Sequence, residues 1–447
     1  MEEKRENKMG VLPVNRLLVT MSAPIMLSML VSALYNIVDG FFVARISENA
    51  FNAVGLAFPV QNLMIAVSTG TGVGVNALLS RSLGEKNFDR ANRTASNAVF
   101  LALCSAAVFA VVGGLGARQF FLIQTDAAEI VEGGTAYVRI CCLCSFGIFL
   151  QITFERLLQS TGKTVYSMVT QLLGSLINII LDPIFIFVLD MGVAGAAWAT
   201  VLGQIVSSLF SVYLNARRNT EITVSLRHFR PDREVIRRIY AVGVPSIFMS
   251  AIGSVMTFGM NRILIGFTTT ATAVIGAYFK LQSFVFMPVF GLNNGVVPIV
   301  AYNFGARKPD RMLRTVKLAI CYATGIMALG FLGFQLLPEA LLGIFDASDY
   351  MLSIGVPALR TISVHFLLAG FCIVSSSLFQ ALGHGVLSLA ISLVRQLVVL
   401  LPAAWLLSLS GDLALVWWAF PLAELSSLLL CTVFLRYVYK REILPLR

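Results

Sequence analysis

The chain has 447 residues, 57% hydrophobic and only 13% charged, against roughly 25% charged in a soluble domain, so a water-soluble globule is excluded. Apolar runs of about 20 residues recur from end to end, each long enough to cross roughly 30 Å of hydrocarbon as a helix, and the ~10-residue alternation of a membrane β-barrel is absent. The net charge of +10 suggests nucleic acid, but Lys and Arg gather in loops that would share one membrane face; the charge reports orientation, and no nucleic-acid partner is expected.

Backbone groups in lipid must be satisfied within the chain, so the apolar runs are predicted as helices. Twelve spans are expected, near 17–45, 52–78, 94–116, 135–157, 165–189, 192–215, 238–266, 272–302, 313–335, 353–379, 386–409 and 413–436. Nothing ahead of the first span resembles a cleaved signal core, so that helix is expected to be retained. One set of loops is basic: Lys4, Arg5, Lys8 and Arg16 come first, then Arg81, Lys86, Arg90 and Arg93, then Arg156 and Lys163. The link with Arg217, Arg218, Arg227, Arg230, Arg233, Arg237 and Arg238 joins them, as do Arg307 to Lys317 and the tail with Arg436, Lys440, Arg441 and Arg447. The alternate loops are acidic, with Asp126, Glu129 and Glu132 in one and Glu339, Asp346 and Asp349 in another. A multi-pass protein of the cell (inner) membrane with both termini cytoplasmic is expected.

The chain repeats itself with a shift of 221. Pro24 falls on Pro245, Gly55 on Gly276, Gln61 on Gln282, Gly74 on Gly295 and Gly84 on Gly305. Asp89, Arg90 and Arg93 fall on Asp310, Arg311 and Arg314, and Arg139 on Arg360. The halves divide at the one sizeable polar linker: residues 1–216 as a first lobe, 217–237 as linker and 238–447 as a second lobe. Six spans per half make the repeat parallel, about an axis along the membrane normal. The expected fold is therefore all-α and integral to the membrane, with twelve helices in two six-helix lobes related by a parallel pseudo-two-fold repeat. Pro24 and Pro245 are expected to kink the first helix of each half. No GxxxxGK[ST] loop occurs, so ATP is not expected to drive the protein directly.

The repeat fails to copy a set of acids. Asp39 maps onto Met260, Asn178 onto Val399 and Asp182 onto Ala403. Ionisable side chains at bilayer depth are costly and usually face a cavity or a partner. At 1.5 Å per residue, Asp39, Asp182 and Thr200 all sit roughly 10 Å below one surface. Tyr35 and Asp39 are i and i+4, as are Asn178 and Asp182, so each pair shares a helix face. Two carboxylates placed together would hold one proton between them, whereas an oxygen cage of Asp39, Asn178, Asp182 and Thr200 would suit Na⁺, a hard ion. The alternative is structural, with Asp182 capping the backbone ahead of Pro183.

Other polar groups carry weaker expectations. Arg395 and Glu424 suit a buried ion pair that holds the second half together. Glu155 reads as a boundary residue or as lining the cytoplasmic mouth, and Lys280 as snorkelling outward or lining the cavity. Cys141, Cys142 and Cys144 have no His nearby, and His228, His365 and His384 have no metal-ligand spacing; no metal is expected beyond Na⁺, and no cofactor. An intramembrane enzyme would need a catalytic dyad. Asp39 and Asp182 could mimic one, but no catalytic motif accompanies them, and the chain is read as not an enzyme.

These residues carry a resemblance. PIMLSMLVSALYNIVDGFFVAR in helix 1, SLGEKNFDRANR after helix 2, NIILDPIFIF in helix 5, FKLQSFVFMPVFGLNNG in helix 8 and NFGARKPDR after it resemble the multidrug and toxic compound extrusion (MATE) transporters, most closely the bacterial drug-efflux branch, across essentially the whole chain. The resemblance implies antiport: H⁺ or Na⁺ moves in while a lipophilic, often cationic organic compound moves out between two lobes by alternating access. It places ion coupling on Tyr35, Asp39, Asn178, Asp182 and Thr200. The second-lobe acids of some members are missing, since helix 7 offers Asn261 and Arg262 and helix 10 offers His365 and Gln380. Met256, Met260, Phe284 and Met287 are soft or aromatic groups that could line an adaptable cavity, with Asn293 and Asn294 as its polar groups. A monomer is expected. Two rivals stay open: a lipid-linked precursor flippase of the same superfamily, which would need a strongly cationic cavity, and a major-facilitator antiporter, whose loop signature has a different spacing.

Overall fold

The computed structural model describes residues 6–225 and 229–446. Lys4, Arg5, Arg227, His228 and Arg447 of the basic loops lie outside those residues. Among the described residues there is no strand. The first six spans are α1 (Val14–Ala44), α2 (Glu48–Gly84), α3 (Phe88–Leu122), α4 (Ala128–Leu143 and Phe146–Ser160), α5 (Thr164–Val188) and α6 (Gly192–Arg218). The second six are α7 (Arg233–Leu264), α8 (Thr269–Gly305), α9 (Pro309–Leu336), α10 (Asp349–Ser363 and Phe366–Ala381), α11 (Gly385–Ser408) and α12 (Leu413–Leu446). All twelve spans are present and most run longer than their apolar stretches, because polar caps extend them past the hydrocarbon. Ser47 accepts from the Ala50 amide ahead of α2, Asn87 from Arg90 ahead of α3, and Asp232 from Glu234 and Val235 ahead of α7. The linker is accordingly shorter than its polarity suggests, since α6 ends at Arg218 and α7 begins at Arg233.

The breaks in the helical backbone are not at Pro24 or Pro245. The helical backbone of α1 and α7 runs on through Pro24 and Pro245. Proline leaves the carbonyl four residues earlier without its ladder donor, and the Thr164 hydroxyl lies 3.4 Å from that carbonyl, on Thr20. The pronounced breaks are in α4 and α10, of 46° and 48°, at positions related by the repeat. Arg139 Nε donates to Gly114 O at 3.2 Å in the first lobe, and Arg360 Nε to Gln335 O at 3.2 Å in the second. The duplicated arginine thus ties α4 to α3 and α10 to α9 by the same bond.

The first and last described segments lie at one end of the bundle, the end with the basic loops. Asn303 donates to Met9 O at 3.1 Å, and Glu442 pairs with His384 at 2.5 Å. The lobes meet along the halves of their helices nearest this end, α2 against α7 and α1 against α8. A Cβ on Gly74 would sit 2.0 Å from Ile239 O, and one on its repeat partner Gly295 would sit 2.3 Å from Ser22 Oγ. A Cβ on Gly84 would meet Tyr302 O at 2.0 Å, and one on Gly305 would meet Arg81 O at 2.3 Å. Tyr302 is the repeat partner of Arg81, so the interface is two-fold symmetric to the residue. The loop clamps repeat too: Arg90 donates to Ser82 Oγ at 2.9 Å, and Arg311 to Asn303 Oδ1 at 3.2 Å. Glu85, beside this junction, contacts Arg90 and Arg81. Burial pushes its carboxyl up, but the Arg81 hydrogen bond and the Arg90 charge outweigh it and hold it below the usual carboxylate range.

The buried apolar side chains form two clusters. One runs through the second lobe and continues into the basic half of the first, through Leu17, Met21, Leu79, Leu83 and Leu157. The other, with Val43, Ala57, Phe121, Tyr137, Phe149 and Val201, fills the acidic half of the first lobe alone. The lobes therefore share a core at one end of the molecule and have separate cores at the other.

Arg395 and Glu424 do meet: Arg395 Nη1 lies 3.5 Å from Glu424 Oε2, with the Glu424 side chain 2% exposed. Removing one member of a buried pair strands the other charge, which costs about 3–5 kcal/mol, whereas replacing both by apolar groups is often neutral. Glu424→Leu is expected to lower the melting temperature in detergent, and Glu424→Leu with Arg395→Met to recover most of the loss. Equal melting temperatures for wild type and the single variant would refute the structural role.

Candidate ion-coupling site in the first lobe

The five residues singled out in the first lobe come together. Asp182 on α5 is completely buried, Asn178 one turn earlier is 2% exposed and Thr200 on α6 is 7% exposed. With its amide oxygen turned toward α6, Asn178 donates to Asp182 Oδ2 at 3.1 Å and accepts from Thr200 Oγ1 at 3.2 Å. Asp39 on α1 lies within side-chain hydrogen-bond reach of Asp182, and Tyr35, one turn earlier on α1, reaches Thr200. The i and i+4 spacing puts each pair on one helix face, and the packing of α1 and α6 on α5 turns those faces toward one another.

The sequence builds this cage by local means. Small residues on α6, Gly195, Ala196, Ala197 and Ala199, let it approach α5 closely; a Cβ on Gly195 would stand 2.8 Å from the Phe185 backbone. Beyond Pro183 the chain widens into a π-helical turn, Ile184–Val188, and such turns recur at functional sites. One oxygen of each carboxylate, Asp39 Oδ1 and Asp182 Oδ1, is buried without a hydrogen-bond partner. Buried polar atoms are nearly always paired, so these two oxygens are where a proton or a small cation fits.

Three more polar groups that spacing alone did not single out as site residues lie beside the cage. Gln61 on α2 donates to Tyr137 Oη at 2.7 Å and reaches Cys141; Tyr137 and Cys141, on α4, both lie close to Asp39. Gln61 was visible as a duplicated polar residue. Tyr137 and Cys141 share one face of α4 at i and i+4, but both are residue types common in apolar membrane helices and so carried no signal of a site.

In the second lobe the equivalent positions pack instead of coordinating. Met260, in the place of Asp39, is completely buried in that lobe's core, which corrects its reading as a cavity residue. Val399 and Ala403, in the places of Asn178 and Asp182, pack against the same core. Of the other cavity residues, Phe284 is 40% exposed, Met256 and Met287 are half-buried, and Asn293 is buried with its Oδ1 unpartnered. Asn294 accepts from Arg156 Nη1 at 2.9 Å and so ties the lobes together. Lys280 is exposed, its ammonium 5.9 Å from the Phe345 ring centre. Glu155 is no boundary residue: it is 7% exposed and accepts from Gln151 at 3.1 Å and Thr170 at 3.4 Å.

Comparison with known proteins agrees with the duplicated fold. The MatE family profile matches the chain twice, over residues 24–184 and 245–406. The multidrug export protein MepA of Staphylococcus saprophyticus is 28% identical over 398 residues, covering 89% of this chain and 88% of that protein. MepA of Staphylococcus aureus strain MRSA252 is 25% identical over 413 residues, covering 92% and 91%. A solved outward-facing conformation of a multidrug resistance MATE family transporter of the MOP superfamily superposes with a TM-score of 0.93, at 27% identity, over 100% of this chain and 99% of that one. Twelve membrane helices in two lobes, a symmetric junction between them and a family match in each half together make the chain a member of the MatE family of membrane transporters.

Proposed function

We propose that the chain is a multidrug exporter that moves lipophilic, often cationic organic compounds outward in exchange for inward H⁺ or Na⁺. The observation that carries this is the pair of adjoining carboxylates in one lobe of a duplicated protein, Asp182 completely buried and Asp39 half-buried with its Oδ1 shut off from solvent. Two carboxylates in contact in a low-dielectric interior favour one added positive charge. A proton would sit between them. Na⁺ would take oxygens from both carboxylates, Asn178, Thr200 and Tyr35. The export direction is supported by the multidrug export proteins among the relatives. Alternating access is supported by the geometry, because lobes joined at one end and separately packed at the other can rock about that junction. On the positive-inside bias the joined, basic end is cytoplasmic and the open end external, in the cell membrane, with the protein acting as a monomer.

Purified protein in liposomes, given a pH gradient or a Na⁺ gradient separately, tests the reading. Uphill movement of a lipophilic cation driven by one gradient is expected. Equal transport with neither gradient would remove the coupling.

A further inference from the structure

A second buried acid lies deeper in the first lobe, outside the coupling cage. Glu155, on the second segment of α4, has only neutral hydrogen-bond partners, Gln151 and Thr170, and it forms no ion pair among the described residues. The neighbouring Arg156 is also buried, at 8% exposure, but its guanidinium is drawn elsewhere. Its side chain crosses Gly72 of α2, where a Cβ would stand 2.7 Å from Arg156 Cγ, and Nη1 donates to Gln159 Oε1 at 3.0 Å and to Asn294 Oδ1 at 2.9 Å. Asn294 belongs to the other lobe. Arg156 is thus held by a contact that exists only while the lobes are joined at the basic end.

Polar side chains lead from the coupling cage toward Glu155. On α1, Ser28, Ser32, Tyr35 and Asp39 follow at steps of four, three and four, one helix face. On α5, Gln171, Ser175, Asn178 and Asp182 do the same. The two faces are bridged at both ends, by Asp39 with Asp182 and by Gln171 Nε2 donating to Ser32 Oγ at 2.9 Å. Thr170, one residue before Gln171 on the adjoining face of α5 and completely buried, places its hydroxyl 3.4 Å from Glu155 Oε1. From Asp182 to Thr170 the track covers about 18 Å at 1.5 Å per residue. Polar groups are costly inside a membrane bundle, and rows of them on facing helices mark ion and proton routes.

We propose that Glu155 is the inner proton acceptor of the transport cycle, receiving the proton that leaves Asp39 and Asp182 along the α1–α5 track. It rests on the antiport reading above and extends it. Glu155 sits beside one amide, Gln151, which donates to it, and one hydroxyl, Thr170, a setting that suits a proton and offers too few oxygens for Na⁺. Only O–H bonds form and break. The proton passes to a Glu155 carboxylate oxygen, and when the lobes part at the basic end it passes to water there. Parting removes Asn294 from Arg156. The freed guanidinium, with no second-lobe acceptor, then favours the ionised carboxylate beside it and drives the release. The charged and polar groups facing Glu155 are Arg156 and Gln151 on its own helix and Thr170 on α5.

Glu155→Gln, Thr170→Val and Asp39→Asn transporters are compared with wild type in liposomes, under a pH gradient, under a Na⁺ gradient, and in substrate-for-substrate exchange with no gradient. Glu155→Gln is expected to keep exchange near the wild-type rate while pH-driven uphill efflux falls by about tenfold or more, the loss typical of a removed proton-transfer group. Thr170→Val is expected to show a smaller loss of the same kind. Wild-type pH-driven efflux in Glu155→Gln overturns the proposal. So does loss of exchange together with efflux in both Glu155→Gln and Thr170→Val, which would mark a structural role. Transport driven by Na⁺ alone overturns it while leaving antiport intact, and coupled efflux by Asp39→Asn overturns the antiport reading beneath it.

Discussion

Asp39→Asn leaves a transporter that still equilibrates its substrate but builds no gradient. The change keeps the shape and polarity of the side chain and removes its charge, so the first lobe should fold. What it removes is the second carboxylate at the Asp39–Asp182 contact. A lone Asp182, already supplied with a donor by Asn178 at 3.1 Å, no longer changes its ion load as the lobes move. A tenfold ion gradient is worth about 1.4 kcal/mol per ion and can sustain up to about a tenfold substrate gradient per ion exchanged. Wild type in liposomes is expected to approach that ratio, and Asp39→Asn to settle near equal concentrations. Accumulation by the variant at the wild-type ratio would sink the coupling role. Asp182→Asn is expected to behave alike, because the site is a pair and neither member suffices.

Gly74→Val has an effect of comparable size by an unrelated route. A Cβ at this position would stand 2.0 Å from Ile239 O, inside any permitted contact, and the obstacle is helix backbone, which cannot rotate away. Valine's branched Cβ makes the clash unavoidable. The lobes cannot close at the basic end, so the protein is held in states open on that side. Transport is expected to fall to background, while single cysteines placed at the basic ends of α2 and α7 become more reactive to a membrane-impermeant thiol reagent. Gly295→Val, meeting Ser22 Oγ at 2.3 Å, is expected to do the same with a milder loss, because a serine side chain can turn aside. Gly55→Val is a control: a Cβ there meets nothing within 4 Å, and transport should persist. Normal cycling by Gly74→Val would show that the described junction is not a state the transporter must visit.

Much of this was legible in the sequence, for reasons that particular residues make plain. The twelve spans could be read because lipid forces each run to be apolar and helical. The cage could be read because Asp39 and Asp182 are expensive at their depth and because i and i+4 spacing joins each to a second polar group. Arg395 and Glu424 were paired by depth and sign alone. The misreadings have one source, the direction in which a side chain points around its helix. Met260 belongs by composition to an adaptable cavity, yet it faces inward and fills the space that Asp39 occupies in the other lobe. Glu155 sits near a helix end in sequence, but the α4 break and the packing of α5 enclose it. Pro24 and Pro245 drew attention as kinks, whereas the helical backbone is interrupted in α4 and α10, at Cys144 and Ser145 and at Val364 and His365, none of them a proline.

The two-fold junction makes each half of the chain resemble one subunit of a homodimer whose partner has been joined to it by a peptide link. A surface that is its own complement needs no second sequence to match it, so one change in an ancestral half would have altered both sides of the contact at once. After fusion the sides became free to drift apart, and Ser22 opposite Gly295 beside Gly243 opposite Gly74 records a first step. The same freedom permits one half to hold Asp39, Asn178 and Asp182 where the other holds Met260, Val399 and Ala403. Tandem fusion thus allows one half to carry a buried acidic cage and the other an apolar core across one shared junction, an arrangement closed to a strict homodimer.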